Sequence, residues 1–280
     1  AREGDPAPDL PAGVVYGTLN ETPSLSGNGA VAFRASLAGL EVTPDNDEAL
    51  FGGPAGAVRL AARGGDVAPG SPGTTYANGF TGSHINSFHQ LAFGGWTGAG
   101  VETIWFGAPG SISRSTSVGD PADGFPPGDT YEDLDLGGVR DGLPPVALNS
   151  AGQIVFNSRV RWNGAVLYGG LPLSPHIIAR GAVFPPGGGV FIGFGSFVIS
   201  DSGLAAFQAG LRPWLPGPDF LGIYREIIGS PVSLDKVAVE GEVAPLAGGA
   251  VFNASGGLNG NFIPRLNNAN GVAFRSTLSG

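Results

Sequence analysis

A motif that recurs five times constrains this chain more than any other feature. Each copy has Asn or Ser, two residues, then Gly, His or Asn, two further residues, and a small apolar residue followed by Phe. The copies begin at Ser26, Asn86, Asn149, Ser200 and Asn267, and successive Phe residues are 60, 63, 51 and 67 positions apart. A chain with such a period is built from copies of one supersecondary unit.

The residue types of this motif predict a tight turn that leads into a core strand. Asn and Ser side chains bond to the backbone of their own turn, and Gly, His and Asn tolerate positive φ. The apolar residues after the turn predict a strand that ends at or after a buried Phe. The residues expected to hold this repeated structure are Gly29, Phe33, Phe93, Asn149, Gly152, Phe156, Gly203, Phe207 and Phe274.

A second motif recurs with a similar period and consists of Gly, an acidic residue and, three positions later, Pro. Its acidic residues are Asp5, Asp66, Asp120 and Glu242. The third copy has Asp123 in place of the Pro, and the remaining copy, at 182–186, has lost the acid. The repeated carboxylates either form a ring that binds cations or bond to N–H groups of their own turns. The loss of one acid favours the turn.

Further strand-like runs lie between the two motifs, such as Ala49-Leu50-Phe51 and Thr103-Ile104-Trp105-Phe106. Each repeat therefore contains four predicted strands, an arrangement typical of a β-propeller. We predict an all-β fold, a five-bladed β-propeller-like repeat protein that forms a single domain over 1–280; a solenoid of β-units is the main alternative. The predicted repeat units are 9–69, 70–123, 124–186, 187–245, and 246–280 together with 1–8.

The last repeat is predicted to be split between the N- and C-termini. Only six residues follow Phe274, and the chain opens on Gly4-Asp5, the motif that ends a repeat. Its first two strands would lie in 246–280 and its last in 1–8, and no third strand is found. Three interpretations stay open: a fragment, a three-stranded blade, or an incomplete blade that pairs with a protein partner or a second copy of the chain.

The Asn-x-x-Gly-x-x-Ala-Phe core resembles the tandem-repeat family named for the motif NxxGxxAF, which occurs in bacterial secreted proteins with variable C-terminal surface anchors (choice-of-anchor type). The five copies extend this resemblance over essentially the whole chain. The Asn149 copy matches best, the Asn86 and Asn267 copies depart at the Gly, and the Ser26 and Ser200 copies depart at the Asn. The resemblance implies an extracellular or cell-surface bacterial chain, mature and without its signal peptide, and it implies no catalytic activity.

Composition excludes several classes of protein. The chain has no Cys, which excludes disulfide scaffolds and thiol nucleophiles. A net charge of −9 disfavours nucleic acid as a partner, and no apolar run is long enough for a transmembrane segment. The 50 Gly and 24 Pro accompany 42% hydrophobic and only 13% charged residues, which indicates a turn-dense β protein rather than a disordered chain.

The densest acidic segment is a candidate metal site. It offers six carboxylates within 16 residues, and closely spaced oxygen ligands suit Ca²⁺. Their spacing fits no EF-hand, so the alternative is a solvated loop. The six candidates are Asp120, Asp123, Asp129, Glu132, Asp133 and Asp135.

Two classes of function remain. The first is an extracellular structural, adhesion or binding module of a bacterial surface protein, or a subunit of a larger assembly, without enzymatic activity. The alternative is a propeller-fold glycoside hydrolase or lectin acting on polysaccharide. A hydrolase needs facing carboxylates, and its candidates Glu21, Glu132, Asp133 and Asp135 come from only two repeats. Aromatic side chains would either offer flat faces to sugars or peptides or pack in the core: Tyr16, Tyr76, Trp96, Trp105, Trp162 and Trp214.

Overall fold

The computed structural model describes residues 1–136, 145–229, 234–253 and 264–279, with the backbone alone at 20–22. Every regular element in these residues is a β-strand, so the prediction of an all-β protein is confirmed. No described helix is long and apolar enough to cross a membrane. The described residues form two compact units, the first containing 1–120 and 145–152 and the second containing 121–135 and most of 153–279.

The first unit contains two four-stranded antiparallel sheets, each with its strands paired in chain order. The first sheet comprises β1 (Val15–Leu25), β2 (Ala30–Ala38), β3 (Glu48–Pro54) and β4 (Arg59–Arg63). The second comprises β5 (Thr81–Ile85), β6 (Leu91–Trp96), β7 (Glu102–Gly107) and β8 (Ser113–Ser117).

The third repeat begins with β9 (Tyr131–Asp133) and β10 (Val146–Leu148). Strand β10 belongs to the first unit, where it lies against β5 and β6. In the second unit β9 pairs with the first of three strands that follow in order, β11 (Ile154–Val160), β12 (Gly164–Leu171) and β13 (Ser174–Arg180).

The fourth sheet lies in the second unit and again pairs its strands in chain order. It comprises β14 (Val190–Ile199), β15 (Leu204–Arg212), β16 (Phe220–Ile227) and β17 (Asp235–Val239). Two short pairs follow, β18 (Val251–Asn253) with β21 (Thr277–Ser279) and β19 (Arg265–Leu266) with β20 (Val272–Ala273).

The Asn/Ser motif forms the same turn in all five repeats. The N–H of its fourth residue donates to the carbonyl of its first residue in every copy. The fourth residues all have positive φ, at 85°, 61°, 77°, 81° and 62°: Gly29, His89, Gly152, Gly203 and Asn270. In the second copy the Asn86 amide oxygen accepts N–H bonds from Phe88 and Gln90, both at 3.0 Å. The residue types at these positions therefore have the turn role that the sequence predicts.

The strand after each turn continues past the core Phe in the first four repeats. There β2, β6, β11 and β15 extend for three to five residues beyond it, which agrees with the predicted strand that ends at or after the Phe. In β2 the extension is stable because Ala35 and Leu37 bury alternate side chains. Phe93, Phe156 and Phe207 are fully buried, whereas Phe33 and Phe274 are only partly buried.

A cluster of three aromatic rings forms the core of each of the first four repeats. In the first, Phe33 pairs in register with Phe51 and stacks on it at 5.6 Å between ring centroids, while Tyr16 meets Phe51 edge-on at 4.9 Å. The corresponding sets are Tyr76, Phe93 and Trp105; Tyr131, Phe156 and Tyr168; and Phe191, Phe207 and Tyr224. In the fifth repeat Phe252 and Phe274 lie 5.6 Å apart.

In two places such an aromatic face packs against small and aliphatic side chains of the preceding sheet. In the first unit Phe93 and Trp105 join a buried cluster with Ala32 and Leu50. In the second unit Phe252 and Phe274 pack against a cluster whose members are Leu221, Ile223 and Ala238. In each of these two pairs of sheets, an aromatic face therefore meets a face of smaller side chains.

The split of the last repeat is observed only in part. Residues 1–8 contain no strand, so the prediction of a last strand there is wrong. The segment instead forms a turn at Gly4 and an isolated bridge from Pro6 to Val15, since its prolines lack the N–H groups that a ladder needs. Whether a third strand is missing depends on the part of the last repeat at 254–263, which lies outside the described residues.

Candidate functional site on the loop edge

Two of the connections of each sheet leave from the same end. In an antiparallel sheet with strands in chain order, the loop between strands two and three and the segment after strand four leave from the same end. We call this end the loop edge. In the first repeat a hydrogen bond of 3.0 Å from Arg63 Nε to the Asn46 carbonyl joins the two connections.

At the loop edge the Gly-acid motif forms a turn held by its own carboxylate. Asp5 accepts the backbone N–H of Arg2 at 3.1 Å, and Asp120 accepts that of Ser117 at 2.9 Å. Asp5 is also bonded to the Arg2 guanidinium, which holds the pKa of Asp5 below its usual value. In these two copies the carboxylate therefore accepts a hydrogen bond from the backbone of its own turn.

The other two acidic residues of the motif, Asp66 and Glu242, also interact with basic residues nearby in the chain. Burial raises the pKa of Asp66, and the Arg63 charge opposes this shift. Glu242 forms an ion pair with Lys236. Within the described residues no three acidic or histidine side chains lie close enough together to hold a metal ion.

The six candidate metal ligands are likewise not brought together. Asp120 pairs with Arg114 at 3.3 Å, and Asp129 accepts a hydrogen bond from Asn163 at 3.0 Å. Glu132 is exposed. Asp123 accepts a hydrogen bond from Tyr131. Asp133 and Asp135 line a common cavity.

Asp123 has a structural role that the sequence did not reveal. It occupies the position of Pro8 in the first copy, and its carboxylate accepts the Tyr131 hydroxyl at 3.0 Å. In the first repeat the buried Tyr16 hydroxyl has no hydrogen-bond partner, and burial raises the pKa of Tyr16 to about 12. Asp123 therefore satisfies a core tyrosine; its own carbonyl also accepts the Tyr168 hydroxyl at 3.2 Å.

The copy of the motif at 182–186 keeps the backbone of the turn and changes its side chains. Ala182 bonds to β14, the first strand of the fourth sheet, so in the structure each copy belongs with the sheet that follows it, and this copy belongs to the fourth repeat. Ala182 retains positive φ, at 61°, and its N–H donates to the Phe191 carbonyl at 3.0 Å, as Gly4 does to Tyr16 at 2.8 Å. Phe184 is 53% exposed and stacks on a Trp that is 74% exposed, Trp214. Their ring centroids are 4.4 Å apart, and the planes differ by 5°.

Trp214 lies in the loop 213–219 between β15 and β16, where its neighbour Leu215 is also exposed. The loop is closed at its base by an ion pair between Arg212 and Asp219 at 3.2 Å. Val183, beside Phe184, is the residue that replaces the acid of the motif. The fourth repeat thus presents an apolar patch of Val183, Phe184, Trp214 and Leu215, which we call the aromatic platform.

The remaining aromatic candidates divide into core and surface. Tyr16, Tyr76 and Trp105 are buried, and Trp96 is partly buried. Trp162 is 86% exposed in the loop between β11 and β12, with the Arg161 guanidinium 5.4 Å from its ring centroid. Exposed flat rings of this kind can stack on the C–H face of a sugar or on an apolar side chain.

Comparison with known proteins gives a family and no individual relative. The family model described as Family of unknown function (DUF7453) matches residues 1–103 and 96–280, which together span the chain. No curated protein and no solved structure matches the chain significantly. The resemblance to the NxxGxxAF family stays a prediction.

Proposed function

We propose that this chain, which belongs to the Family of unknown function (DUF7453), is an extracellular binding module of a bacterial surface protein that uses the aromatic platform to bind polysaccharide. The observation that carries the proposal is the exposed, stacked pair of Phe184 and Trp214. The surface location rests on the resemblance of the Asn-x-x-Gly-x-x-Ala-Phe repeats to a family of secreted proteins.

The platform is not needed to form the turn that carries it. Ala182 repeats the backbone bond and the positive φ of the Gly-acid copies, although the acid is absent. Proteins rarely keep contiguous apolar side chains in water unless the patch contacts something. The exchange of an acid for Val183 and the stacking of Phe184 therefore support a role in binding.

The chemistry of the platform favours a neutral ligand with a flat apolar face. The segment Val183–Pro186 and the loop residues 213–218 contain no charged side chain. The nearest ion pair, Arg212 with Asp219, is already satisfied at the base of the loop. A pyranose ring in a polysaccharide meets these requirements, since its C–H groups pack on the electron-rich face of an aromatic ring.

The finer architecture that we propose is a five-bladed β-propeller. Its support is the recurrence of the turn in all five repeats and of the three-ring core in four of them. In a propeller, equivalent connections of all blades lie on one side. The fourth-repeat platform and the exposed Trp162 would then share a face, which suits an extended polymer.

The test is affinity electrophoresis of the full chain in gels that contain soluble glucans, xylan, mannan or chitosan. We expect at least one polymer to retard the chain, and Trp214→Ala to weaken that binding by about tenfold or more. The matched control is Leu40→Ala, which removes a fully exposed apolar side chain from the equivalent loop of the first repeat. The proposal fails if no polymer retards the chain, or if Trp214→Ala and Leu40→Ala bind equally well.

Two expectations from the amino-acid sequence stay predictions. One is the absence of enzymatic activity, and the other is a protein partner or second copy that pairs with the last repeat. For the hydrolase alternative, Asp133 and Asp135 share a cavity, Glu132 is exposed, and the side chain of Glu21 lies outside the described residues. These positions do not favour the hydrolase over a binding module.

A further inference from the structure

We infer that the loop between β11 and β12 binds a uronic acid residue of a polysaccharide, with the Trp162 ring stacked on the sugar and the Arg161 guanidinium paired with its carboxylate. The loop comprises residues 161–163 and lies in the second unit. It contains no residue of the aromatic platform, so this site does not depend on the proposed function.

Trp162 has a backbone conformation that bulky residues rarely adopt. Its φ is 64°, in the left-handed region, where Gly or Asn would be free of the strain that a bulky side chain brings. The side chain is 86% exposed, so it contributes little to the core in return for this strain. Residues kept in strained conformations cluster at binding sites, and the exposed, strained Trp162 is therefore the observation that points to a ligand.

The rest of the loop holds Trp162 in one place. The Arg161 N–H donates to the Thr130 carbonyl at 3.1 Å, which joins the loop to the segment before β9. The side-chain amide of Asn163 donates to the Asp129 carboxylate at 3.0 Å and to the Arg161 carbonyl at 2.8 Å. A ring on a loop that is ordered before binding loses less conformational entropy when a ligand stacks on it.

Arg161 supplies a positive charge beside the ring. Its guanidinium carbon lies 5.4 Å from the centroid of the Trp162 ring, over one face, and the exposure of the side chain leaves the other face open. Arg161 is itself exposed, and its guanidinium forms no ion pair or hydrogen bond within the described parts of the chain. The guanidinium is therefore free to bind a carboxylate through two parallel hydrogen bonds.

The corresponding loop of the fourth repeat shows what Arg161 adds. Trp214 lies in the same connection of its sheet, between β15 and β16, but the arginine near it, Arg212, already pairs with Asp219 at 3.2 Å. The two loops therefore share an exposed Trp and differ in free positive charge. The third repeat is suited to an anionic sugar, whereas the fourth is suited to a neutral one.

A uronic acid residue carries both features that these groups recognise. An aromatic ring packs on the C–H face of a pyranose, and a guanidinium matches a carboxylate. An acidic peptide side chain has no flat apolar face. Nucleic acid offers bases for stacking, but the net charge of −9 opposes a continuous row of phosphates. The same repulsion favours a polysaccharide in which uronic acids are interspersed with neutral sugars.

The test is calorimetric titration of the full chain with hyaluronan and gellan oligosaccharides, both of which combine glucuronate with neutral sugars. We expect at least one of them to bind. Reduction of the ligand carboxylates to alcohols and the variant Arg161→Gln should each weaken that binding by about tenfold or more. The matched control is Arg159→Gln, which removes the same charge from an exposed residue of β11 that contacts no aromatic ring within the described residues.

Trp162→Gly tests the ring without endangering the fold, because Gly adopts positive φ freely. It should weaken binding by about tenfold or more, with a Tm equal to or above that of the unaltered chain. A lower Tm would show that the ring serves the fold and would overturn the inference. Trp214→Ala should bind like the unaltered chain, and a loss equal to that of Trp162→Gly would place the ligand on the aromatic platform instead.

Three further results would overturn the assignment of a uronic acid. The first is the absence of binding to both oligosaccharides at about 10 mM ligand. The second is equal affinity for the carboxyl-reduced ligand or for an oligothymidylate, which would exclude recognition of a sugar carboxylate. The third is an equal loss in Arg161→Gln and Arg159→Gln, which would show that only the overall charge of the chain matters.

Discussion

The third and fourth repeats have closely similar cores and very different loop edges. Both bury a second-strand Phe that stacks on a third-strand Tyr, with centroids 5.3 Å apart in the third repeat and 6.0 Å in the fourth. At the loop edge the third repeat has Asp120 and Asp123, and the fourth has Val183 and Phe184 in the corresponding segment. The backbone of the turn tolerates these exchanges, so its side chains are available for a surface role.

The largest expected effect tests whether the two cores are equivalent. Phe156→Ala and Phe207→Ala should each lower the free energy of unfolding by about 3–5 kcal/mol, because both side chains are fully buried and lose their ring contacts. Urea unfolding followed by circular dichroism measures both. A loss below about 1 kcal/mol in either variant would show that the two repeats are not equivalent.

A difference between the two repeats is tested by Asp123→Ala. This variant removes the carboxylate that accepts the Tyr131 hydroxyl, so we expect a loss of about 1–3 kcal/mol in the free energy of unfolding. In a Tyr131→Phe background the same change should cost much less. A double-mutant cycle by urea unfolding measures the coupling, and a coupling near zero would contradict the role of Asp123. The fourth repeat has Phe191 at the equivalent position, so no such coupling exists there.

The shared turn backbone predicts opposite effects of one exchange in the two repeats. Ala182→Gly should stabilise the protein by about 1 kcal/mol, because Ala182 has a positive φ that favours Gly. Gly119→Ala should destabilise it by a similar amount, since Gly119 has a φ of 91°, which L residues rarely adopt. No atom lies within 4 Å of the added Cβ, so the cost comes from the backbone conformation and not from a clash. Thermal unfolding of both variants checks this, and a destabilised Ala182→Gly would contradict it.

The smallest effect concerns Glu226, a fourth-repeat residue whose third-repeat counterpart is Gly170. Burial raises the pKa of Glu226 from 4.5 to about 7. The folded protein therefore holds a proton that the unfolded chain releases, so this contribution to stability is complete below pH 4.5 and is lost as pH rises through about 7. Incomplete burial of the carboxyl keeps the effect small.

Glu226→Gln isolates this contribution. Urea unfolding at several pH values between 4.5 and 7.5 should show a shallower fall in stability with rising pH in the variant than in the unaltered chain. Identical pH profiles would show that the Glu226 carboxyl does not titrate in this range.

The periodic parts of the fold were predictable because their causes are local. Residues tolerant of positive φ and capable of bonding their own turn are visible in any single copy, as at Asn86 and His89. The sequence carries a further periodic feature: the first-strand aromatics follow the Gly-acid motif by about ten residues, as Tyr76 follows Asp66 and Phe252 follows Glu242.

The site residues were less predictable because their contacts join distant segments. Phe184 and Trp214 are 30 positions apart in the chain, and neither belongs to a repeated pattern. Asp123 looked like a metal ligand because its partner, the Tyr131 hydroxyl, is fixed only by the fold. The exact end of the strand after each turn was not predictable, since burial of alternate residues past the Phe depends on the neighbouring sheet.

The central claim is that the fourth repeat departs from the Gly-acid pattern in order to present a binding surface. Its most direct test is the dissociation constant for a retarding polysaccharide of Val183→Asp/Phe184→Val, which restores the side chains that Asp66 and Val67 have in the second copy. We predict an unfolding midpoint close to that of the unaltered chain and binding weakened by about tenfold or more. Unchanged affinity in this variant would contradict the claim.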